Sequence, residues 1–380
     1  MNRLRTLTEL GQAIWLDYIR RDILENGELE RLISEDGVTG VTSNPAIFQK
    51  AIGESDLYDR DIREVLENEA EISTAALYER LAFRDIQMAA DLLRPVFDVT
   101  DGGDGFVSLE VSPHLAHDTD GTLAEARRFW VAVDRPNLMI KVPATSEGVL
   151  AVETLLAEGI HVNITLMFSL AHYDAVASAY LRGVGRAEQP QRSASVASFF
   201  VSRVDGLIDK RLDAVGSDDA RALVGRIAIA NSKLAYQRYQ ELFHGETFAR
   251  LKARGTRPQR VLWASTSTKN PAYSDVLYVE ELIGPETVNT LPPATVEAFR
   301  DHGVASETLT TDIGRAEADL ATLATLGIDL SGATEELQRQ GLEKFAVPYD
   351  SLLQTLEAKR SALEVVALES SNGGAPRAAG

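Results

Sequence analysis

Residues 137–148 read NLMIKVPATSEG. Leu138, Met139, Ile140 and Val142 flank Lys141, and Pro143 closes the run. A short apolar segment bounded by turn residues reads as a strand covered on both faces, the kind found in parallel sheets. The lysine inside it needs a reason, because a buried ammonium costs several kcal/mol unless it is paired or neutralised. Either its stem packs while the head reaches water or a carboxylate, or it is a desolvated amine kept for covalent chemistry.

Seven further runs share this character: QAIWLDY (12–18), GVTGVTS (37–43), GFVSLEVS (105–112), HVNITLMFS (161–169), SVASFFV (195–201), RVLWAST (260–266) and ETVNTLP (286–292). The run at 12–18 is equally compatible with the start of a helix. Between them lie helical patterns. Leu77–Leu93 has apolar residues at helical spacing, and Leu170–Leu181 follows a capping Ser169. Asp218–Phe243 reads as one long helix ending at His244-Gly245. Eight strands alternating with helices give an α/β (β/α)8 TIM barrel. The alternative, an open doubly wound sheet, lacks its glycine-rich first turn, since Gly183-Val184-Gly185 ends a helical run instead of following a strand. Extra helices are expected after strand 2, within 45–104, and at the C-terminus over 306–368, with a break near Val347-Pro348. Residues 1–368 then form a single domain, and 369–380, ESSNGGAPRAAG, read as a disordered tail.

The 380 residues are 44% hydrophobic and 25% charged, an ordinary globular composition. A net charge of −19 disfavours nucleic acid as a partner but permits a local basic pocket. The absence of cysteine excludes disulfides, thiolate catalysis and cysteine–zinc sites. No stretch is long and apolar enough to cross a bilayer, and the N-terminus has no secretory pattern. The expectation is a soluble, cytoplasmic protein without a membrane partner, in which the sequon-like Asn163-Ile164-Thr165 carries no glycan.

In such a barrel the chemistry sits at the C-terminal ends of the strands, and useful side chains cluster there. They are Asp17, Asn44, Glu110, Lys141, Asn163 with Thr165, Ser198 with Arg203, and Ser265 through Lys269. Each has an ordinary reading: Asp17 a helix cap, Asn44-Pro45 a turn, Thr165 a strand former, STST a solvated loop. Glu110 resists one, because a buried carboxylate needs a partner. Together the set suits carbonyl chemistry. A neutral amine attacks a ketone, and the carbinolamine loses water to give an iminium. Glu110 is the candidate to donate and accept protons in those steps, directly or through one water. Asp17 is the candidate base for breaking a carbon–carbon bond, Asn44, Asn163 and Ser198 are candidates to orient hydroxyls, and Arg203 with the STSTK loop could hold a phosphate.

TSNPAIF around Asn44, SLEVSP around Glu110, NLMIKVPAT around Lys141 and NITLMFS around Thr165 together resemble the transaldolase family, over about residues 10–293. The helical C-terminal segment is similar to that of a longer branch of that family. The resemblance implies a Schiff-base enzyme of the pentose phosphate pathway that needs neither metal nor cofactor. It would move a dihydroxyacetone unit from sedoheptulose 7-phosphate to glyceraldehyde 3-phosphate, giving erythrose 4-phosphate and fructose 6-phosphate. It also implies Lys141 as the Schiff-base lysine, Asp17 as acid–base, and Glu110 acting through a water that Thr165 touches. Thr42, Asn44, Asn163 and Ser198 would contact sugar hydroxyls, Phe200 would be a pocket aromatic, and Arg203, Ser265 and Lys269 would hold phosphate. Where many members carry a second arginine this chain has Ser267, and a lysine at 269 cannot reproduce the arginine fork. A homodimer is compatible with the family.

Three alternatives stand beside this reading. One is a Schiff-base aldolase that cleaves fructose 6-phosphate without transfer. Another is a metal-dependent lyase using His114 and His117 near Glu110 and Asp118. The third is a sugar-phosphate binder without catalysis, which would have no need of Lys141.

Overall fold

The computed structural model describes the backbone of residues 2–372 and side chains through residue 363. Eight parallel strands close into one barrel in chain order. They are β1 (Gln12–Leu16), β2 (Val38–Thr42), β3 (Phe106–Glu110), β4 (Leu138–Pro143), β5 (Val162–Met167), β6 (Ser195–Phe200), β7 (Arg260–Ala264) and β8 (Thr287–Leu291). All eight runs expected from the sequence are therefore strands, including the ambiguous one at 12–18. Nearly every residue in them is buried, as expected of strands covered by helices outside and packed side chains within.

Side chains two apart share a face of a strand, so Trp15 lies below Asp17, Phe106 below Ser108 and Glu110, and Met139 below Lys141. The floor of the barrel is filled by rings. The Trp15 indole donates to Asp104 Oδ1 at 2.9 Å, and the Arg260 guanidinium, 6.0 Å from the Trp15 ring, pairs with Asp104 at 3.2 Å. A Cβ on Gly40 would come within 2.5 Å of that indole, so only glycine leaves room for it. A separate cavity of about 800 Å³ lies at the lower rim, lined among others by Trp130, Pro136, His161 and Arg257.

Between β2 and β3 run the helices Pro45–Phe48, Asp59–Asn68 and Thr74–Val99, the expected insertion. A buried ion network ties it to the segment after β1. Arg21, 3% exposed, meets Asp85 at 2.6 Å and also Asp61, while the Tyr58 hydroxyl donates to Asp85 at 2.5 Å.

Two expectations about helices are corrected. The pattern Asp218–Phe243 is two helices, Asp218–Leu223 and Ile227–Phe243. Gly225, at φ +75°, turns the chain, and its N–H donates to Asp209 while Asp205 receives the Ala228 N–H at 2.7 Å. Glycine conformation plus side-chain acceptors on the helix Ser202–Val215 outweigh the continuous apolar spacing. Conversely, no break falls at Val347-Pro348: one helix runs from Leu330 to Asn372. Proline costs that helix one N–H, but Phe345, Leu352 and Leu356, all buried on either side, hold it together. This C-terminal helix passes the upper end of the barrel. Of the segment 369–380, the backbone through Asn372 is helical, and 373–380 lie outside the described residues. No described helix is long and apolar enough to cross a membrane.

Candidate active site

A cavity of about 460 Å³ opens at the upper end of the barrel. Asp17, Thr42, Asn44, Lys141, Thr165, Ser198, Phe200, Arg203, Ser265 and Lys269 all line it. Strand register brings the central trio together, since Glu110 pairs with Lys141 and Lys141 with Asn163 across β3, β4 and β5.

Lys141 is 5% exposed. Its Nζ donates to the Ser43 carbonyl at 3.1 Å and lies 3.3 Å from Glu110 Oε2. That ion pair is not an aligned hydrogen bond, and both Glu110 oxygens lack a hydrogen-bond partner, as does the buried Thr165 Oγ1. Such atoms are the ones a bound water or a ligand satisfies. Burial pushes the Glu110 carboxyl up to about 7, against the opposing pull of Lys141.

Asp17, one residue beyond β1, is also raised by burial, with Lys141 and a hydrogen bond from Thr42 pulling the other way. The Thr42 hydroxyl donates to Asp17 Oδ1 at 2.9 Å and lies 2.7 Å from Thr290 Oγ1. Thr42 has a single proton, so Thr290 donates to Thr42 and a two-hydroxyl chain runs into the carboxylate. Asn44 caps the helix Pro45–Phe48, its Oδ1 receiving the Ile47 N–H at 3.0 Å, which leaves its amide nitrogen as the donor toward the cavity. Asn44 thus both caps this helix and lines the cavity.

Two expected contacts sit differently. Glu110 lies behind Lys141, and beyond it, toward Tyr78 and Tyr349, is a separate space of about 10 Å³. Asn163 lies beneath the wall, fully buried, donating to Ser108 Oγ at 3.0 Å and accepting from Ser198 Oγ at 2.7 Å. Its visible task is to orient Ser198.

At the far side, the Arg203 guanidinium lies 5.1 Å over the Phe200 ring, and its buried Nη1 has no hydrogen-bond partner. Lys269 donates to Ser267 Oγ at 2.6 Å, and burial with the nearby Arg203 lowers it from the usual lysine range. Ser265 holds φ +58° and its Oγ meets Ser202 Oγ at 2.9 Å. A left-handed serine here costs about 1 kcal/mol and turns the STSTK loop inward.

Other cavity residues were not read from the sequence: Thr290, Lys50 and Phe345. Thr290 could have been found by applying the strand-end rule to TVNTLP. Phe345 could not, because nothing in the helical pattern shows which turn meets the barrel. Of the histidines weighed as metal ligands, His114 pairs with Asp350 at 2.7 Å and His117 with Glu147 at 3.3 Å, both exposed. Among the described residues no group of three or more His, Cys, Asp or Glu is arranged to hold a metal ion.

Comparison with known proteins identifies the family. Residues 14–356 match the family model described as transaldolase/fructose-6-phosphate aldolase. A protein named transaldolase from Thiobacillus denitrificans is 49% identical over 93% of this chain and 99% of its own. One of the same name from Frankia alni is 48% identical over 93% of this chain and 96% of its own. Transaldolase 2 from a Nostoc species is 45% identical over 96% of this chain and its full length. With the family model matched over residues 14–356 and these relatives 45–49% identical over more than nine-tenths of their length, the chain belongs to the transaldolase/fructose-6-phosphate aldolase family.

Proposed function

We propose that the protein is a transaldolase, moving a dihydroxyacetone unit between sugar phosphates through a Schiff base on Lys141. The donors and acceptors are those of the pentose phosphate pathway: sedoheptulose 7-phosphate and glyceraldehyde 3-phosphate give erythrose 4-phosphate and fructose 6-phosphate. The supporting observation is a lysine amine almost fully removed from solvent, 3.3 Å from a carboxyl that titrates near 7, on the wall of a sugar-sized cavity.

The unprotonated Lys141 amine attacks the ketone carbon. Glu110 supplies the proton with which the carbinolamine hydroxyl leaves as water, and the iminium forms. Asp17 takes the proton of the hydroxyl on the fourth carbon. The bond between the third and fourth carbons breaks, its electron pair enters the enamine, and an aldose phosphate departs. The acceptor aldehyde enters and the steps reverse. Thr42 and Thr290 hold Asp17, Asn44 and Ser198 meet sugar hydroxyls, and Arg203, Ser265 and Lys269 meet the phosphate. Cytoplasmic location and a homodimer rest on the family resemblance alone.

The test is to incubate the protein with fructose 6-phosphate, reduce with borohydride and map peptides by mass. A three-carbon adduct on Lys141 is expected. An unmodified Lys141 in folded protein would overturn the reading.

A further inference from the structure

The C-terminal helix reaches the site through three residues on one face, Gln338, Gly341 and Phe345, spaced three and four apart. Gln338 Nε2 donates to the carbonyls of Ala144 at 3.0 Å and Leu166 at 3.1 Å. These lie just past the Lys141 segment of β4 and just past Thr165 on β5. Leu166 holds φ +62° at a register shift between β5 and β6, a costly conformation for a leucine, and its carbonyl is left for Gln338. Three residues on, Gly341 sets the approach. A Cβ there would come 2.9 Å from Leu166 and 3.5 Å from Arg203 Nη1. One turn further, Phe345 is 4% exposed, with its ring centroid 5.5 Å from Lys141 Nζ and 5.9 Å from the Arg203 guanidinium carbon.

An apolar ring at that point does two things. Its face favours a cation at the lysine nitrogen, as in the iminium, over the neutral enamine. Its bulk occupies space from which water would otherwise reach the reacting carbon. The second effect bears on the fate of the intermediate. In transfer, the enamine carbon attacks the acceptor's carbonyl carbon, and the carbonyl electron pair becomes an alkoxide that takes a proton from Asp17. In loss, the same carbon takes a proton from water. The hydroxide left behind adds to the iminium carbon, and the carbinolamine collapses to free dihydroxyacetone and the Lys141 amine.

We propose that Phe345, held against the barrel by Gln338 and Gly341, keeps water from the enamine and so commits the intermediate to transfer. The inference rests on the Schiff-base reading of Lys141, and it gives the C-terminal helix a specificity role. The experiment compares the unmodified protein with Phe345→Ala and Phe345→Leu. Two rates are measured with fructose 6-phosphate: release of free dihydroxyacetone without acceptor, and transfer to erythrose 4-phosphate. Borohydride trapping at Lys141 is run alongside. Phe345→Ala should raise the ratio of release to transfer by about tenfold, the scale of one desolvated ring contact, with Phe345→Leu between it and the parent. Gln338→Ala, which frees the helix without touching the cavity wall, should move the ratio in the same direction and covers the case of a Phe345 variant that does not fold. Lysine adducts in all variants with an unchanged ratio would overturn the inference alone. No adduct even in the unmodified protein would overturn the Schiff-base reading and the inference with it.

Discussion

Replacing Glu110 by glutamine removes a titrating group while keeping its shape. Burial lifts this carboxyl from an ordinary 4.5 to about 7, although Lys141 is 3.3 Å away. The lift corresponds to on the order of 3 kcal/mol of preference for the neutral form in the folded protein. The sign follows: folded above unfolded, so the stabilising contribution of neutral Glu110 is complete below about pH 4.5 and is lost as pH rises through about 7. The same value makes it a proton donor and acceptor near neutrality. The assay is the rate of borohydride-trapped adduct formation on Lys141 at saturating fructose 6-phosphate, from about pH 5 to pH 9. The parent should show an inflection near 7. Glu110→Gln should lose that inflection and form adduct about 10²–10⁴ times more slowly. Thermal unfolding should move in the variant's favour, relative to the parent, as pH rises from about 5 to 8. The same inflection in the variant would place the titrating group elsewhere and refute the argument.

Asp17→Ala should still form an imine with fructose 6-phosphate, but reduction should trap the uncleaved six-carbon sugar, with turnover down about 10²–10⁴-fold; a three-carbon adduct would remove Asp17 from the cleavage step. Lys269→Ala should raise KM for phosphorylated acceptors about tenfold, the scale of one charge-assisted hydrogen bond, and leave KM for unphosphorylated aldehydes alone. Equal changes for both acceptor classes would show that Lys269 does not meet the phosphate. Asp85→Ala strands the buried Arg21 guanidinium and should cost about 3–5 kcal/mol, read in urea unfolding; a loss under about 1 kcal/mol would show that Asp61 alone satisfies Arg21.

The strands were legible because a fully covered parallel strand has a strong signature, an apolar run cut short by turn residues. A polar residue at the end of such a run stands out against it, which is why Asp17, Glu110, Lys141 and Arg203 could be named from order alone. What stayed hidden depends on contacts between distant elements. Gly225 splits a helix only because Asp205 and Asp209 are there to receive N–H groups. Pro348 fails to split one because Phe345 and Leu352 are buried on either side of it. Asn163, expected beside sugar hydroxyls, lies under Ser198 and accepts from it at 2.7 Å, because strand order says nothing of depth in the barrel. Leu166 and Ser265, both left-handed, carry no residue-type signal at all.

Charge explains why the lysine in NLMIKVP differs from an ordinary buried ion pair. A chain of net charge −19 repels a sugar phosphate at long range, but salt limits that field to about 8 Å. Within that distance the cavity wall carries Lys50, Lys141, Arg203 and Lys269 against Asp17, with Glu110 just behind it. Were Glu110 an ordinary carboxylate, it would cancel Lys141 permanently, and the pair would be structural. Desolvation opposes this: it raises both carboxyls against the pull of Lys141, and leaves Glu110, lifted to about 7, able to exchange a proton near neutrality. The burial that makes the lysine look anomalous in the sequence therefore serves both requirements of the reaction, a net positive seat for phosphate and a proton carrier beside the amine. Exposing Glu110 to water would forfeit both together, and the side chains that line the small space beside it, Tyr78 and Tyr349, include one from the same C-terminal helix that carries Phe345.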